Sequence, residues 1–360
     1  MRIVVVNTAA SSGGALSTLR DFYEYVKNDI DNEWIFILSD YYIKETDNVR
    51  VIVNQKVKSN WYNRLKWEIR DGSKFINNLY PDIVFSMQNT ISRGINSKSV
   101  IYLHQSIPFQ DLKRFSFLKK RERQLAIYQY IIGGIIKNSL KRTDKIIVQT
   151  NWMKKAVIKD TGIKEERITV VPPNVSKIDH QIRTGYLKEN RFFYPATGAV
   201  YKNHECIINV AKKLVKLGIN DFVIDLTLPE EYKKILNITP EIENNIRFLG
   251  SLSREEVFEK YQNSILLFPS YIETFGLPLL EARNAGSFII ASHCEFAKEV
   301  LQGYKNVKYF NPFEDDELLK IIIEIINKEY YYEYDDSRIE NKLGWEVTVK
   351  EIEKVIKFEQ

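Results

Sequence analysis

Cysteine is nearly absent, with Cys206 and Cys294 alone in 360 residues. That leaves no disulfide framework and predicts a reducing compartment. No run of about 18 apolar residues occurs, so no bilayer-spanning helix is expected. The opening MRIVVVN enters a strand pattern directly, without the basic stretch and long apolar core of a signal peptide. A soluble, cytoplasmic protein is therefore expected. Histidine is also scarce, at positions 104, 180, 204 and 293, and no Cys/His spacing has the form of a metal site. The one Asp-x-Asp considered, Asp29 and Asp31, stands in a polar turn and not after a strand, so no metal is predicted. The G-x-G-x-x-G fingerprint of dinucleotide-binding proteins is missing too.

What is present is globular: 44% hydrophobic and 28% charged residues, in a length comfortable for two domains. Strand patterns at Arg2–Asn7, Trp34–Leu38, Asp82–Ser86, Val100–Leu103, Lys145–Gln149 and Ile168–Pro172 alternate with helical stretches near Leu16–Lys27 and Trp61–Tyr80. Such alternation predicts an α/β fold with a parallel, doubly wound sheet covered on both faces. The first strand runs into the small-residue loop N-T-A-A-S-S-G-G, which suits a phosphate. Just past the strand at Val100–Leu103 comes His104, a position that faces a ligand crevice in such sheets. Asn89 follows the neighbouring strand and lines the same expected crevice.

Residues 111–142 carry nine Lys/Arg against Asp111 and Glu122, a local charge of +7 in a chain of net +5. Phe115, Phe117, Leu118, Ile127, Tyr130, Ile131 and Ile135 are interleaved with them. Basic residues beside an apolar helical face suit an anionic membrane surface, at on the order of 1 kcal/mol per basic side chain. A solvated basic helix packed on its own domain fits the pattern equally. No nucleic-acid motif accompanies the charge, so nucleic acid is not an expected partner.

Residues 176–190 are polar and aperiodic, as a domain connection should be. Strand patterns resume at Arg191–Ala196, Phe222–Thr227 and Ile246–Gly250, and Lys202-Asn203 opens a helix. Ser253 and Glu256 have the spacing of a capping box. The most informative stretch is residues 264–292, SILLFPSYIETFGLPLLEARNAGSFIIAS. Two short apolar runs read as buried parallel strands, with a helix opening at Pro278 between them. Gly276 permits a tight turn, and the helix N-terminus suits phosphate. Glu281, one turn in, can accept from both hydroxyls of a ribose. The unit reads as a nucleotide-sugar site.

Glu273 and Glu281, a Glu-x7-Glu pair within E-T-F-G-L-P-L-L-E-A and followed by A-G-S-F-I-I-A-S, resemble the donor-site signature of the family 4 (group 1) glycosyltransferases. The resemblance implies the GT-B architecture, two Rossmann-like domains facing each other across a cleft. Residues 1–175 would form the acceptor domain and 176–338 the donor domain, with 339–360 a helix crossing back. It implies retaining transfer from a UDP- or GDP-sugar to a hydroxyl of a lipid-linked or oligosaccharide acceptor, in capsule or O-antigen assembly, without a cofactor. By the same resemblance Gly13 and Gly14 lie near the donor diphosphate and the acceptor, and His104 contacts the transferred sugar. Lys202 neutralises the diphosphate, Ser251 lies near the base, and Glu273 holds sugar hydroxyls. Thr274, Phe275, Gly276, Leu277 and Glu281 complete the donor site. The family's Arg five residues before Lys202 is here Thr197, which leaves that hydroxyl and the backbone at Gly198 to meet the second phosphate charge. A sugar-nucleotide epimerase of the same architecture, or a silent nucleotide-sugar-binding subunit, are the alternatives.

Overall fold

A computed structural model describes residues 1–10, 13–59, 61–175, 185–186, 190–328, 330–337, 339 and 343–357. The expected connection at 176–190 lies almost entirely outside the described residues, as do Ser11 and Ser12. The chain divides into two compact units: Met1–Asn174 with Asn341–Gln360, and Val175–Glu340.

The first unit holds β1 (Arg2–Asn7), β2 (Glu33–Leu38), β3 (Val49–Val53), β4 (Ile83–Ser86), β5 (Lys98–Leu103), β6 (Lys145–Val148) and β7 (Ile168–Val170). They form one parallel sheet in the order β3-β2-β1-β4-β5-β6-β7, with Ile3 opposite both Trp34 and Ile83. Side chains alternate between faces along a strand, and both faces are buried here. Ile3 and Val5 join a core with Phe22, Trp34, Phe36, Phe85 and Tyr102. Val4 and Val6 join another with Trp67, Val84, Ile101, Leu103 and Met153. Two-sided burial explains the unbroken apolar runs of the sequence.

The helix Gly344–Lys357 belongs to this unit, although it comes from the far end of the chain. Trp345, Val349 and Ile352 enter the first core, and the Trp345 ring lies 5.1 Å from Phe22 and 5.5 Å from Tyr102. Glu351 accepts from the Thr169 hydroxyl (2.8 Å) and pairs with Lys145 (3.3 Å).

Three expectations in this unit need correction. Gly13 and Gly14 lie inside the first turn of the helix Gly13–Val26, not in a loop before it. The stretch read as one helix from Trp61 is broken into Trp61–Lys66, a π-turn at Trp67–Asp71, and Gly72–Asn77. Within 111–142, helix begins only at Arg123 and contains a second π-turn at Ile127–Ile132.

The second unit opens with the two-residue β8 (Gly185–Tyr186), followed by β9 (Arg191–Tyr194), β10 (Val223–Leu226), β11 (Ile246–Phe248), β12 (Ile265–Phe268), β13 (Ile289–Ser292), β14 (Val307–Phe310) and β15 (Tyr331–Tyr332). A parallel six-stranded sheet runs β11-β10-β9-β12-β13-β14, and β15 pairs with β8 antiparallel. In both parallel sheets the order reverses once, between β1 and β4 and between β9 and β12. Chains leaving the C-terminal ends of such a strand pair diverge and open a crevice.

Candidate active site

At the reversal in the second unit, β9 leads through Thr197 and Gly198 into a short turn, Val200–Lys202, ahead of the helix His204–Lys216. β12 leads through Pro269 and Ser270 to Glu273, Gly276 and the helix Leu277–Asn284. The two loops are stitched together, Tyr271 N donating to Tyr201 O at 3.1 Å. Lys202 Nζ and Glu273 Oε1 form a direct ion pair there, each side chain 16% exposed. Ser270 Oγ donates to the same Glu273 oxygen at 2.7 Å. Burial works against the Lys202 charge, but Glu273 and Tyr201 beside it hold its pKa above the usual lysine value. Lys202 therefore stays a cation at any working pH.

Gly276 caps the helix Leu277–Asn284 at φ +89°, a left-handed conformation in which a Cβ is strained. Thr274 and Phe275 precede it, and Leu277 begins the helix with its side chain exposed. Glu281 sits further along this helix, largely buried. The Tyr261 hydroxyl donates to its Oε2 (3.2 Å), and Arg254 lies 3.6 Å from its Oε1. Burial pushes the Glu281 carboxyl above the ordinary glutamate range, with Arg254 and Tyr261 pulling back. Gly198 packs so closely that a Cβ there would stand 2.0 Å from the Tyr232 ring. Thr197 is exposed at the loop surface, as is Ser251 beyond β11.

At the reversal in the first unit, the end of β1 meets the loop after β4. Asn89 and His104 are brought together: Asn89 Oδ1 accepts from His104 N (2.8 Å), and its amide nitrogen lies 3.4 Å from His104 Nε2. Burial pushes the imidazole down to about 4, against a hydrogen bond with the Tyr102 backbone, so it is neutral near pH 7. Gly14 has open space where a Cβ would be, so no close approach demands glycine there. Among the described residues no group of three or more His, Cys, Asp or Glu is arranged to hold a metal ion.

Two family profiles cover most of the chain. The one described as Glycosyltransferase Family 4 matches residues 32–176, and the one described as Glycosyl transferases group 1 matches 175–344, which includes Lys202, Glu273 and Glu281. The chain belongs to the group 1 glycosyltransferases. It is 23% identical over 306 residues to the O-antigen chain mannosyltransferase RfbU of Salmonella typhimurium, covering 76% of this chain and 80% of that protein. It is also 23% identical over 280 residues to the serotype-specific mannosyltransferase WbdA of Escherichia coli, but spans only 34% of its length. Among solved structures, a glycosyltransferase from Rickettsia africae matches with TM-score 0.65 at 16% identity, over 99% of this chain and 98% of that one. WaaG, a glycosyltransferase of lipopolysaccharide biosynthesis, matches with TM-score 0.65 at 15% identity, over 91% of each chain. HepE of Anabaena, solved with UDP-glucose, matches with TM-score 0.62 at 16% identity, over 91% of this chain and 90% of that one. The seven- and six-stranded parallel sheets of this glycosyltransferase are thus those of the GT-B fold.

Several side chains packed around these candidate residues were not singled out from the sequence. Tyr261 and Arg254 around Glu281, Ser270 on Glu273 and Tyr232 over Gly198 each lie 3 to roughly 35 positions from their partner. A register of motif spacings does not reach such pairs. The signal that could have found Arg254 is its place beside Ser253, at the start of the helix Arg254–Asn263.

Proposed function

We propose that this glycosyltransferase is a retaining, metal-independent hexosyltransferase. It takes a sugar from a UDP- or GDP-sugar and passes it to a hydroxyl of a lipid-linked or oligosaccharide acceptor in O-antigen or capsule assembly. The observation that carries the reading is the placement of Lys202 and Glu273 at the β9/β12 reversal, beside the helix that bears Glu281. Negative charge builds on a departing nucleoside diphosphate, and a cation already fixed by its neighbours stabilises it without reorganisation. In this reading Glu273 holds the sugar hydroxyls while Lys202 meets the diphosphate, and Glu281 accepts from the ribose. Neutral His104 lies against the transferred sugar. Thr197, Gly198, Ser251, Thr274, Phe275, Gly276 and Leu277 line the donor. The O-antigen chain mannosyltransferase RfbU and the serotype-specific mannosyltransferase WbdA support the polysaccharide class, and the UDP-glucose bound to HepE supports the donor class.

Leu112, Phe117, Leu118, Tyr130 and Ile131 are exposed among the basic residues of 111–142. They support a reading in which this segment rests on the anionic inner face of the cell membrane. No described helix is long and apolar enough to cross one.

The test is turnover of UDP- and GDP-sugars by purified protein, with and without lipid-linked acceptor, read by anomeric NMR. Glu281→Ala and Lys202→Ala are expected to abolish transfer, chelator to leave it unchanged, and the product to keep the donor's anomeric configuration. Donor binding without any turnover would establish the silent-subunit alternative, to which the exposed Thr197 in place of a cation lends weight.

A further inference from the structure

The loop after β4 carries three hydrogen-bonding side chains in a row, Gln88, Asn89 and Thr90, and each is anchored. The Gln88 carboxamide oxygen accepts from Thr8 N (3.0 Å) and from the Thr8 hydroxyl (2.9 Å), just beyond β1. The Gln88 nitrogen donates to Glu68 Oε1 at 3.2 Å, and the Thr90 hydroxyl donates to that same oxygen at 2.6 Å. Between these neighbours Asn89 stands at φ +67°, a left-handed conformation that asparagine adopts more readily than other residues with a Cβ. From this conformation its side chain meets both His104 N and His104 Nε2. The side chains on either side of it both bond one carboxylate oxygen, and the Ser86 hydroxyl holds the same loop from β4, donating to Thr90 O at 2.5 Å.

Glu68 reaches the loop from the π-turn Trp67–Asp71, and such turns recur at functional sites. Its own carbonyl accepts from Arg93 N at 2.8 Å. A Cβ on Gly72 would stand 2.3 Å from Ser92 Oγ, so the helical segment and the loop touch directly. Glu68 is 9% exposed, and its Oε2 makes no hydrogen bond with a described protein group. The cavity beside it, lined by Arg64, Leu65, Thr90 and two isoleucines, measures about 20 Å³, far too small for a sugar ring. The carboxyl group therefore acts on the loop and not on substrate. A buried carboxyl is a poor device for stability alone, where an apolar side chain of similar size serves as well or better.

We infer that Glu68 is a positioning residue for sugar transfer: through Gln88 and Thr90 it fixes Asn89, through Asn89 the His104 imidazole, and through Gln88 the chain leaving β1. The inference rests on the reading that His104 lies against the transferred sugar. The groups facing His104 are the Tyr102 ring, 6.1 Å between ring centres, and the Asn89 amide; the charges nearest Glu68 are Arg64 and Arg142.

Two readouts separate the relay from the role of His104. The first is the imidazole NMR signals of His104 in the full chain without substrate, assigned by their loss in His104→Ala. Glu68→Gln keeps an oxygen that accepts from both donors and should leave these signals at their wild-type positions. Glu68→Leu removes it, and the His104 titration should move from about 4 toward the free value of about 6.5. Should Glu68→Leu not fold, Thr90→Val removes one donor without a new buried group and should move the signals the same way. Unchanged His104 signals in a cooperatively folded Glu68→Leu or Thr90→Val protein overturn the inference. The second readout is donor-sugar turnover. Glu68→Leu should lower kcat by about 10²-fold with little change in donor KM, as misplacement by an ångström does, and Glu68→Gln should restore it. A displaced His104 with unaltered kcat overturns the catalytic part of the inference along with the reading of His104, and leaves only the structural relay.

Discussion

His104 stays neutral down to about pH 4 in the folded protein, whereas in an unfolded chain it takes a proton near 6.5. Between those values the unfolded state binds the additional proton. The stability tied to this group is complete above about pH 6.5 and is lost as the pH falls toward 4. Denaturant titrations at several pH values should show wild type losing up to about 3 kcal/mol more than His104→Gln across that window. Lys202 and Glu273 offer a second measurement. Lys202→Met leaves the Glu273 carboxylate nearly buried without its cation and should destabilise by about 3 kcal/mol, most of which Lys202→Met/Glu273→Gln should recover in thermal melts. Glu273 was legible in the loop after a buried strand, because a short apolar run ending in loop chemistry marks where a parallel sheet offers its crevice, whereas Lys202 was marked out by the family resemblance. That the two side chains bond each other was not legible. Neither was Glu68, since a glutamate in a helical stretch looks solvent-facing until a π-turn rotates it inward.

Local patterns were read best where a motif has a fixed spacing. Ser253 and Glu256 show both bonds of the capping box, Glu256 N to Ser253 Oγ at 3.2 Å and Ser253 N to Glu256 Oε2 at 2.7 Å. Ser253→Ala should cost about 1 kcal/mol and lower the melting temperature accordingly. Gly276→Ala should cost about 1–2 kcal/mol, since φ +89° is strained for any Cβ and Leu279 stands 3.2 Å away. It should also weaken donor binding in calorimetry, because the helix start would shift. What escaped the sequence reading was short or irregular. In β3 Arg50 is exposed at the second of five positions, Ile52 and Val53 are only partly buried, and the strand pairs with β2 alone at the sheet edge, so no fully buried run advertises it. The π-turns escaped because one extra residue per turn leaves the apolar spacing on either side nearly intact.

For the molecule as a whole, the charge imbalance gives a direct prediction. Each basic side chain near an anionic surface contributes about 1 kcal/mol. Changing Lys119, Lys120 and Arg121 to alanine should therefore weaken binding to phosphatidylglycerol vesicles about 100-fold in sedimentation, while uncharged vesicles bind neither protein. The alternation of strands and helices made both sheets readable, because each buried strand announces itself. The partner of the final helix was not readable, since an amphipathic helix does not say which core it closes. Trp345, Val349 and Ile352 close the core built on Phe22 and Tyr102. During synthesis the ribosome must add all of Val175–Glu340 before that closing helix can emerge, roughly ten to thirty seconds at ordinary elongation rates. Through that interval Phe22 and Tyr102 wait without Trp345, Val349 and Ile352, and apolar surface left open in this way is what makes a nascent chain prone to aggregate.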